Sequence, residues 1–270
     1  NGVQGLLNGC LMDLTEKVEQ VPMFIELLKK SPSMYLGSCR YQLPDYTEDD
    51  APYAYIFNKF ETYEIDAFFY IGGNDSMDTI KKLSDYAILT GQSQKFVGVP
   101  KTIDNDLALT DHTPGYGSAA KYIATSTKEV IRDGIGFSYK KQQVIIIEIM
   151  GRNAGWLTGA AALSRGEDCD GPDLIYLPEL TFDIEKFTAK VRKLLVKKDV
   201  VVVAVSEGIR IQDGRYVSEL GSASDYVDAF GHKQLTGTAS YLANVIHRDI
   251  GCKTRAVEFS TLQRSAAHLA

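Results

Sequence analysis

No stretch of the 270-residue sequence approaches the ~18 consecutive apolar residues that a membrane-spanning helix needs, so no such span is expected. Cysteine is sparse: Cys10, Cys39, Cys169 and Cys252 lie far apart and show no CxxC or CxxH spacing. That pattern argues against a zinc site and a disulfide framework, and reads as reduced thiols, buried or half-buried, in the cytoplasm. Basic residues are in deficit, with 29 Lys and Arg against 35 Asp and Glu for a net charge of −6. No nucleic-acid partner is expected, because a phosphate backbone selects a basic surface. A small phosphorylated ligand needs only a few local cations and stays open. There is no low-complexity tract, no short repeat, and a single tryptophan, Trp156, expected to pack under a loop. The segment Asn1 to Leu7 has no initiator Met and no basic n-region, and does not read as a signal peptide.

What is present is an ordinary globular composition, 44% hydrophobic and 24% charged, long enough for two lobes. Short apolar runs at 67–71, 96–99, 143–149, 174–177 and 200–205 suit buried parallel strands. Between them, 78–90, 118–134 and 184–197 carry apolar residues at helical spacing. Strands alternating with helices imply βαβ units and a doubly wound sheet. The polar stretch from Pro44 to Pro52 reads as an exposed loop or helix entry, and Asp213-Gly214 as the turn of a hairpin.

Ligands of doubly wound sheets bind beyond the C-terminal strand ends. After the 67–71 run comes Gly72-Gly73-Asn74-Asp75-Ser76. Glycines let a ligand approach the backbone, and a helix starting near Ser76 would aim free N–H groups at a phosphate. Alone, such a motif is more often a plain strand-to-helix turn with Ser76 as N-cap. After 96–99 comes Pro100-Lys101-Thr102-Ile103-Asp104-Asn105-Asp106, whose carboxylates could take a proton or hold a divalent metal. A solvated polar loop is the alternative. After 143–149 comes Met150-Gly151-Arg152, with a planar donor fork for phosphate or carboxylate. After 200–205 comes Ser206-Glu207-Gly208, where Glu207 could accept from sugar hydroxyls or be a mere helix-entry charge. Four such strand ends together point to one polar site for a phosphorylated, hydroxyl-rich substrate.

In order and spacing, Gly72–Ser76, Pro100–Asp106, Met150-Gly151-Arg152, Ser206-Glu207, Thr254-Arg255-Ala256 and Gln263-Arg264 resemble the phosphofructokinases. The resemblance implies an α/β fold of two similar Rossmann-like lobes with mostly parallel sheets and the active site in the cleft. It divides the chain into 1–138, a phosphoryl-donor lobe lacking its first strand and glycine-rich loop, and 139–270, a sugar-phosphate lobe. The implied reaction is phosphoryl transfer to the 1-hydroxyl of fructose 6-phosphate. Asp104 would be the base, with Thr102 beside it and Asp106 supporting the charge pattern. Met150, Gly151 and Arg152 would line the sugar-phosphate site. Glu207 would bind sugar hydroxyls, and Arg255 and Arg264 would clamp the 6-phosphate. Arg40, Gly72, Gly73 and Ser76 would face the donor phosphates. Mg²⁺ is implied, with Asn74 and Asp104 as candidate ligands; Asn74 stands where the family usually has Asp. The family also implies a homo-oligomer, dimer or tetramer.

The donor is read from Asp75 and Lys101. ATP users typically carry Gly at the position of Asp75, where a carboxylate would meet the nucleotide α-phosphate. Two negative groups ~4 Å apart in an effective dielectric near ~20 repel by about 4 kcal/mol. Asp75 with Lys101 resembles the pyrophosphate-dependent class, as does the stretch from Asp225 to Leu242. Pyrophosphate is therefore the expected donor, with ATP the alternative. A non-catalytic sugar-phosphate-binding fragment or regulatory subunit is the rival reading. A diacylglycerol- or NAD-kinase-like enzyme is disfavoured by the Met-Gly-Arg and Gln-Arg motifs.

Overall fold

The computed structural model describes residues 2–9, 11–31, 34–39, 41–137, 141–221 and 237–265. Arg40, Cys10 and most of the 225–242 stretch lie outside them. The chain forms two compact units, one up to Thr102 and one from Ile103 onward. This break differs from the 138/139 division read from the sequence, because the long helix before residue 138 packs into the second unit's core.

The first unit holds helices α1 (Gly2–Leu7), α2 (Thr15–Gln20), α3 (Phe24–Lys30), α4 (Ala51–Thr62) and α5 (Asn74–Thr90), with strands β1 (Ala67–Gly72) and β2 (Lys95–Pro100). Pro52 in the first turn of α4 shows the 44–52 stretch to be a helix entry, where a missing N–H costs nothing. The strands pair in parallel, Ala67 opposite Lys95 through Gly72 opposite Pro100. Phe68, Tyr70 and Phe96 pack on a core of Tyr53, Ile56, Phe57, Phe60 and Leu83, while Phe69 and Ile71 on the other face are exposed. The alternation follows from the two-residue period of a strand.

The second unit holds α6 (Tyr116–Gly136), β3 (Gln143–Ile149), α7 (Trp156–Ala160), β4 (Leu174–Tyr176), α8 (Ile184–Leu195), β5 (Val200–Ser206), α9 (Thr238–Ile250) and β6 (Lys253–Glu258). Its sheet is parallel, in the order β4-β5-β3-β6. β3 and β5 are buried along their whole length, as continuous apolar runs require in a sheet covered on both faces. One layer packs α6 and α7 onto Ile145, Ile147 and Ile149. The opposite layer packs α8 and α9 onto Val144, Ile146, Val201 and Val203. Asp183 caps α8 by accepting from the Lys186 N–H at 2.9 Å.

All five expected strands and three expected helices are present. β6 was not anticipated: Lys253-Thr254-Arg255-Ala256-Val257-Glu258 mixes charge with small apolar residues and lies at the sheet edge. Asp213-Gly214 does turn the chain, closed by the Ile211 N–H on the Arg215 carbonyl at 3.0 Å, but only the isolated bridge Arg210–Tyr216 flanks it. Cys169 and Cys252 are buried, Cys39 is half-buried, and all three are free thiols. Among the described residues no helix is long and apolar enough to cross a membrane.

Ile146 sits fully buried at the centre of β3. Ile146→Ala is expected to lower the unfolding free energy by about 2–5 kcal/mol in denaturant titration, since the tight layer cannot collapse into the cavity.

Candidate functional site

In the first unit, β1 runs directly into α5. The Gly73 carbonyl accepts from the Ser76 and Met77 N–H groups, so α5 begins at Asn74 with Gly73 as its N-cap. Ser76 is thus inside the first turn, not the cap. Gly72, the last residue of β1, lies hard against the first turn of α5: a Cβ there would lie 2.0 Å from the Ser76 Oγ. At Gly73 the nearest atom to an added Cβ is the Lys101 carbonyl at 3.8 Å, an ordinary contact. The Lys101 N–H donates to the Gly72 carbonyl at 2.7 Å, which fixes the Lys101 backbone beside the start of α5. Asn74 and Asp75 are exposed in the first turn of α5, and Lys101 is exposed at the end of β2. The unit therefore presents an open helix N-terminus, one carboxylate and one ammonium at neighbouring strand ends.

In the second unit, the 103–113 loop is organised by Asn105. It is 7% exposed with φ +56°, and its Oδ1 accepts from the Thr113 N–H at 2.9 Å while its Nδ2 donates to the Asp111 carbonyl at 3.1 Å. Asn suits this position because its side chain closes such turns and tolerates the left-handed region. Asp104 and Asp106 flank it, half-buried and exposed respectively. Trp156 is 57% exposed, contrary to the packing role expected from the sequence. As the first residue of α7 it points away from the core and lines, with Asp106, Leu107 and Asp111, a depression of about 420 Å³.

The ends of β3 and β5 are bound to each other. Ile149 pairs with Ser206, and the Glu207 N–H donates to the Ile149 carbonyl at 2.9 Å. The buried Ser206 hydroxyl donates to the Gly151 carbonyl at 2.6 Å and accepts from the Gly208 N–H at 3.0 Å. Gly208 touches the next turn so closely that an added Cβ would lie 2.0 Å from the Arg152 carbonyl oxygen. Gln263, 3% exposed, accepts from the Met150 N–H at 3.1 Å and donates to the Ser260 carbonyl at 3.0 Å, tying the segment that carries Arg264 to the end of β3.

Glu207 is the electrostatic centre of this cluster. Burial pushes its carboxyl up to about 7, against the Gly151 N–H that donates to it at 3.4 Å. Asp104 adds to the rise, and the cations of Arg152 and Arg264 oppose it. The second unit thus brings Asp104, Gly151, Arg152, Glu207 and Arg264 together. It does not bring Arg255 there. That side chain, from the middle of β6, pairs with Asp133 at 3.2 Å and lies over the Phe137 ring at the end of α6. A second carboxyl, Glu148 near the end of β3, is likewise pushed up to about 7 by burial, with Glu258 and Glu207 adding to it and the Ala239 and Gly237 N–H groups opposing.

Asn105, Glu148, Gly208 and Gln263 were not singled out from the sequence as part of the site. Asn105, Gly208 and Gln263 stand inside the motifs themselves, which is the signal that could have found them. Among the described residues, no group of three or more His, Cys, Asp or Glu side chains is placed to hold a metal ion.

Residues 1–269 match the family model described as phosphofructokinase. The chain belongs to the phosphofructokinase family. It is 42% identical over its whole length to the pyrophosphate--fructose 6-phosphate 1-phosphotransferase of Xanthomonas campestris pv. campestris, and spans 63% of that protein. Two solved structures titled as pyrophosphate-dependent phosphofructokinases are similar in fold. That from Nitrosospira multiformis superposes with a TM-score of 0.82 at 34% identity over 99% of this chain and 61% of its own. That from Marinobacter aquaeolei gives 0.80 at 34% identity over 99% and 60%. As in the family, the α/β units are built on parallel sheets, and the chain spans less than two thirds of these relatives.

Two expectations follow from the geometry. Gly208→Ala should lower the melting midpoint and the unfolding free energy by about 1–3 kcal/mol, because backbone, not a flexible side chain, must move; an unchanged midpoint contradicts the close approach. Glu148, raised from its usual 4.5 to about 7, binds its proton more tightly folded than unfolded. Its contribution is therefore full below pH ~4.5 and lost as pH rises through ~7, by up to about 3 kcal/mol. Glu148→Gln should flatten the decline of unfolding free energy between pH 5 and pH 8, measured by denaturant titration at both.

Proposed function

We propose that the protein carrying this chain transfers a phosphoryl group from pyrophosphate to the 1-hydroxyl of fructose 6-phosphate, giving fructose 1,6-bisphosphate. The observation that supports the sugar half is the grouping around Glu207: an acceptor for hydroxyls, with Arg152, Arg264 and Asp104 acting on one carboxyl. A sugar phosphate asks for that mixture, hydroxyl acceptors beside phosphate cations. Phosphoryl transfer leaves the protein little covalent chemistry, so positioning and charge carry the rate.

In this reading Asp104 accepts the proton of the attacking 1-hydroxyl, with Thr102 and Asp106 beside it. Glu207 and the Met150-Gly151-Arg152 turn hold the sugar. Arg264 clamps the 6-phosphate. Arg255 would join it by exchanging Asp133 for phosphate, a cheap exchange because the pair is half exposed. The donor residues belong to the unit up to Thr102 and the sugar-phosphate residues to the unit from Ile103 onward. Lys101, Gly72, Gly73, Ser76 and Arg40 face the donor phosphates. Asp75 at the start of α5 disfavours a nucleotide α-phosphate, which selects pyrophosphate over ATP. Because the phosphoanhydride and the ester formed are closer in energy than with ATP, the reaction runs in both directions.

Mg²⁺ would neutralise the donor phosphates. It takes most of its ligands from phosphate and water, so few protein donors are needed, and Asp104, with Asn74 as a neutral oxygen, is of the right chemistry. The reading carries a cytoplasmic setting in glycolysis and assembly as a homo-oligomer.

A coupled assay with pyrophosphate and ATP supplied separately tests the donor: turnover with pyrophosphate and none with ATP is expected, and ATP-only turnover overturns it. Asp104→Ser should lower kcat by about 10²–10⁴ with sugar-phosphate affinity kept, as loss of a general base does; unchanged turnover removes Asp104 from that role.

A further inference from the structure

Glu148 is the one ionisable residue of β3, 5% exposed in a strand that otherwise holds Gln143, Val144 and isoleucines. Burying a carboxyl there is costly where an aliphatic side chain would cost nothing, so its bonds must justify it. Its Oε2 accepts from the N–H of Ala239 at 2.8 Å, and the Gly237 N–H also acts on it. These donors belong to the first turn of α9, a 13-residue helix whose N-cap, Gly237, has no side chain to offer. The orphan N–H groups of that turn are satisfied from the neighbouring strand instead. The same turn holds a second bond: the fully buried Thr238 donates its hydroxyl to the backbone carbonyl of Glu207 at 3.4 Å. One helical turn is thus tied on one side to the Glu148 carboxyl and on the other to the Glu207 backbone.

We propose that Glu148 is a positioning residue: by anchoring the first turn of α9 it holds Glu207 in place to bind the sugar. The inference rests on the reading of Glu207 as the ligand of sugar hydroxyls. Glu148 touches no substrate in that reading and acts only through Ala239, Thr238 and the Glu207 backbone.

The test compares Glu148→Ala, Glu148→Gln and Thr238→Val in the protein carrying this sequence, by hydrogen exchange at the Ala239 amide and by calorimetric titration with fructose 6-phosphate and with pyrophosphate. Glu148→Ala is expected to speed exchange at Ala239 and to weaken fructose 6-phosphate binding about tenfold, the scale of one lost buried hydrogen bond, with pyrophosphate affinity unchanged. Glu148→Gln keeps an acceptor oxygen and should restore both. Thr238→Val, nearly isosteric, should weaken the sugar phosphate while Ala239 stays protected. Equal sugar-phosphate affinity in wild type, Glu148→Ala and Thr238→Val overturns the proposal, as does an equal loss for both ligands. If Glu148→Ala does not fold, Thr238→Val decides, and unchanged affinity overturns the proposal. A wild-type protein that binds no fructose 6-phosphate overturns the sugar reading, while exchange at Ala239 still decides whether Glu148 anchors the turn.

Discussion

The parallel register of β3 with β5 is the constraint on which the cluster around Glu207 depends. Pairing Ile149 with Ser206 delivers two turns, Met150-Gly151-Arg152 and Ser206-Glu207-Gly208, side by side at the C-terminal ends of the two central strands. The Ser206 hydroxyl then locks them, donating to Gly151 and accepting from Gly208. A slip of one residue would turn every side chain of these fully buried strands to the other layer, so the apolar packing above and below the sheet fixes the position of Glu207 as firmly as any local bond.

That packing also explains the electrostatics. A chain with net charge −6 gathers Arg152 and Arg264 around one carboxyl while burial lifts that carboxyl toward neutrality. The two effects oppose one another, which leaves Glu207 poised between an acceptor and a donor of hydrogen bonds. Glu148, two register positions behind, shares its raised affinity for a proton. Perturbed carboxyls at strand ends are where function concentrates in parallel sheets.

Strand positions were legible because continuous apolar runs such as 143–149 and 200–205 have one stable use in a chain of this kind. β6 was not, since its Lys253, Arg255 and Glu258 conceal an edge strand. Motif residues were legible by type and order, but not their partners. Nothing in the sequence said that Arg255 would pair with Asp133 while Arg264 joined Glu207, because that depends on which face of β6 Arg255 leaves and on how the turn after β6, which carries Arg264, is tied to the end of β3. Trp156 was misplaced for a related reason: a large apolar residue is usually buried, yet the first position of α7 carries it outward beside the Asn105 loop. Asn105, Gly208 and Gln263 are ordinary residue types whose roles arise from contacts made only when the turns meet.

We propose that the protein carrying this chain uses pyrophosphate and a hydroxyl-bearing sugar phosphate, in both directions. Phosphorus NMR of the protein with fructose 1,6-bisphosphate and inorganic phosphate tests it most directly. The account predicts that a pyrophosphate resonance grows as fructose 6-phosphate appears, with no nucleotide present. A spectrum in which no pyrophosphate forms, while the same protein phosphorylates fructose 6-phosphate from ATP, would contradict it.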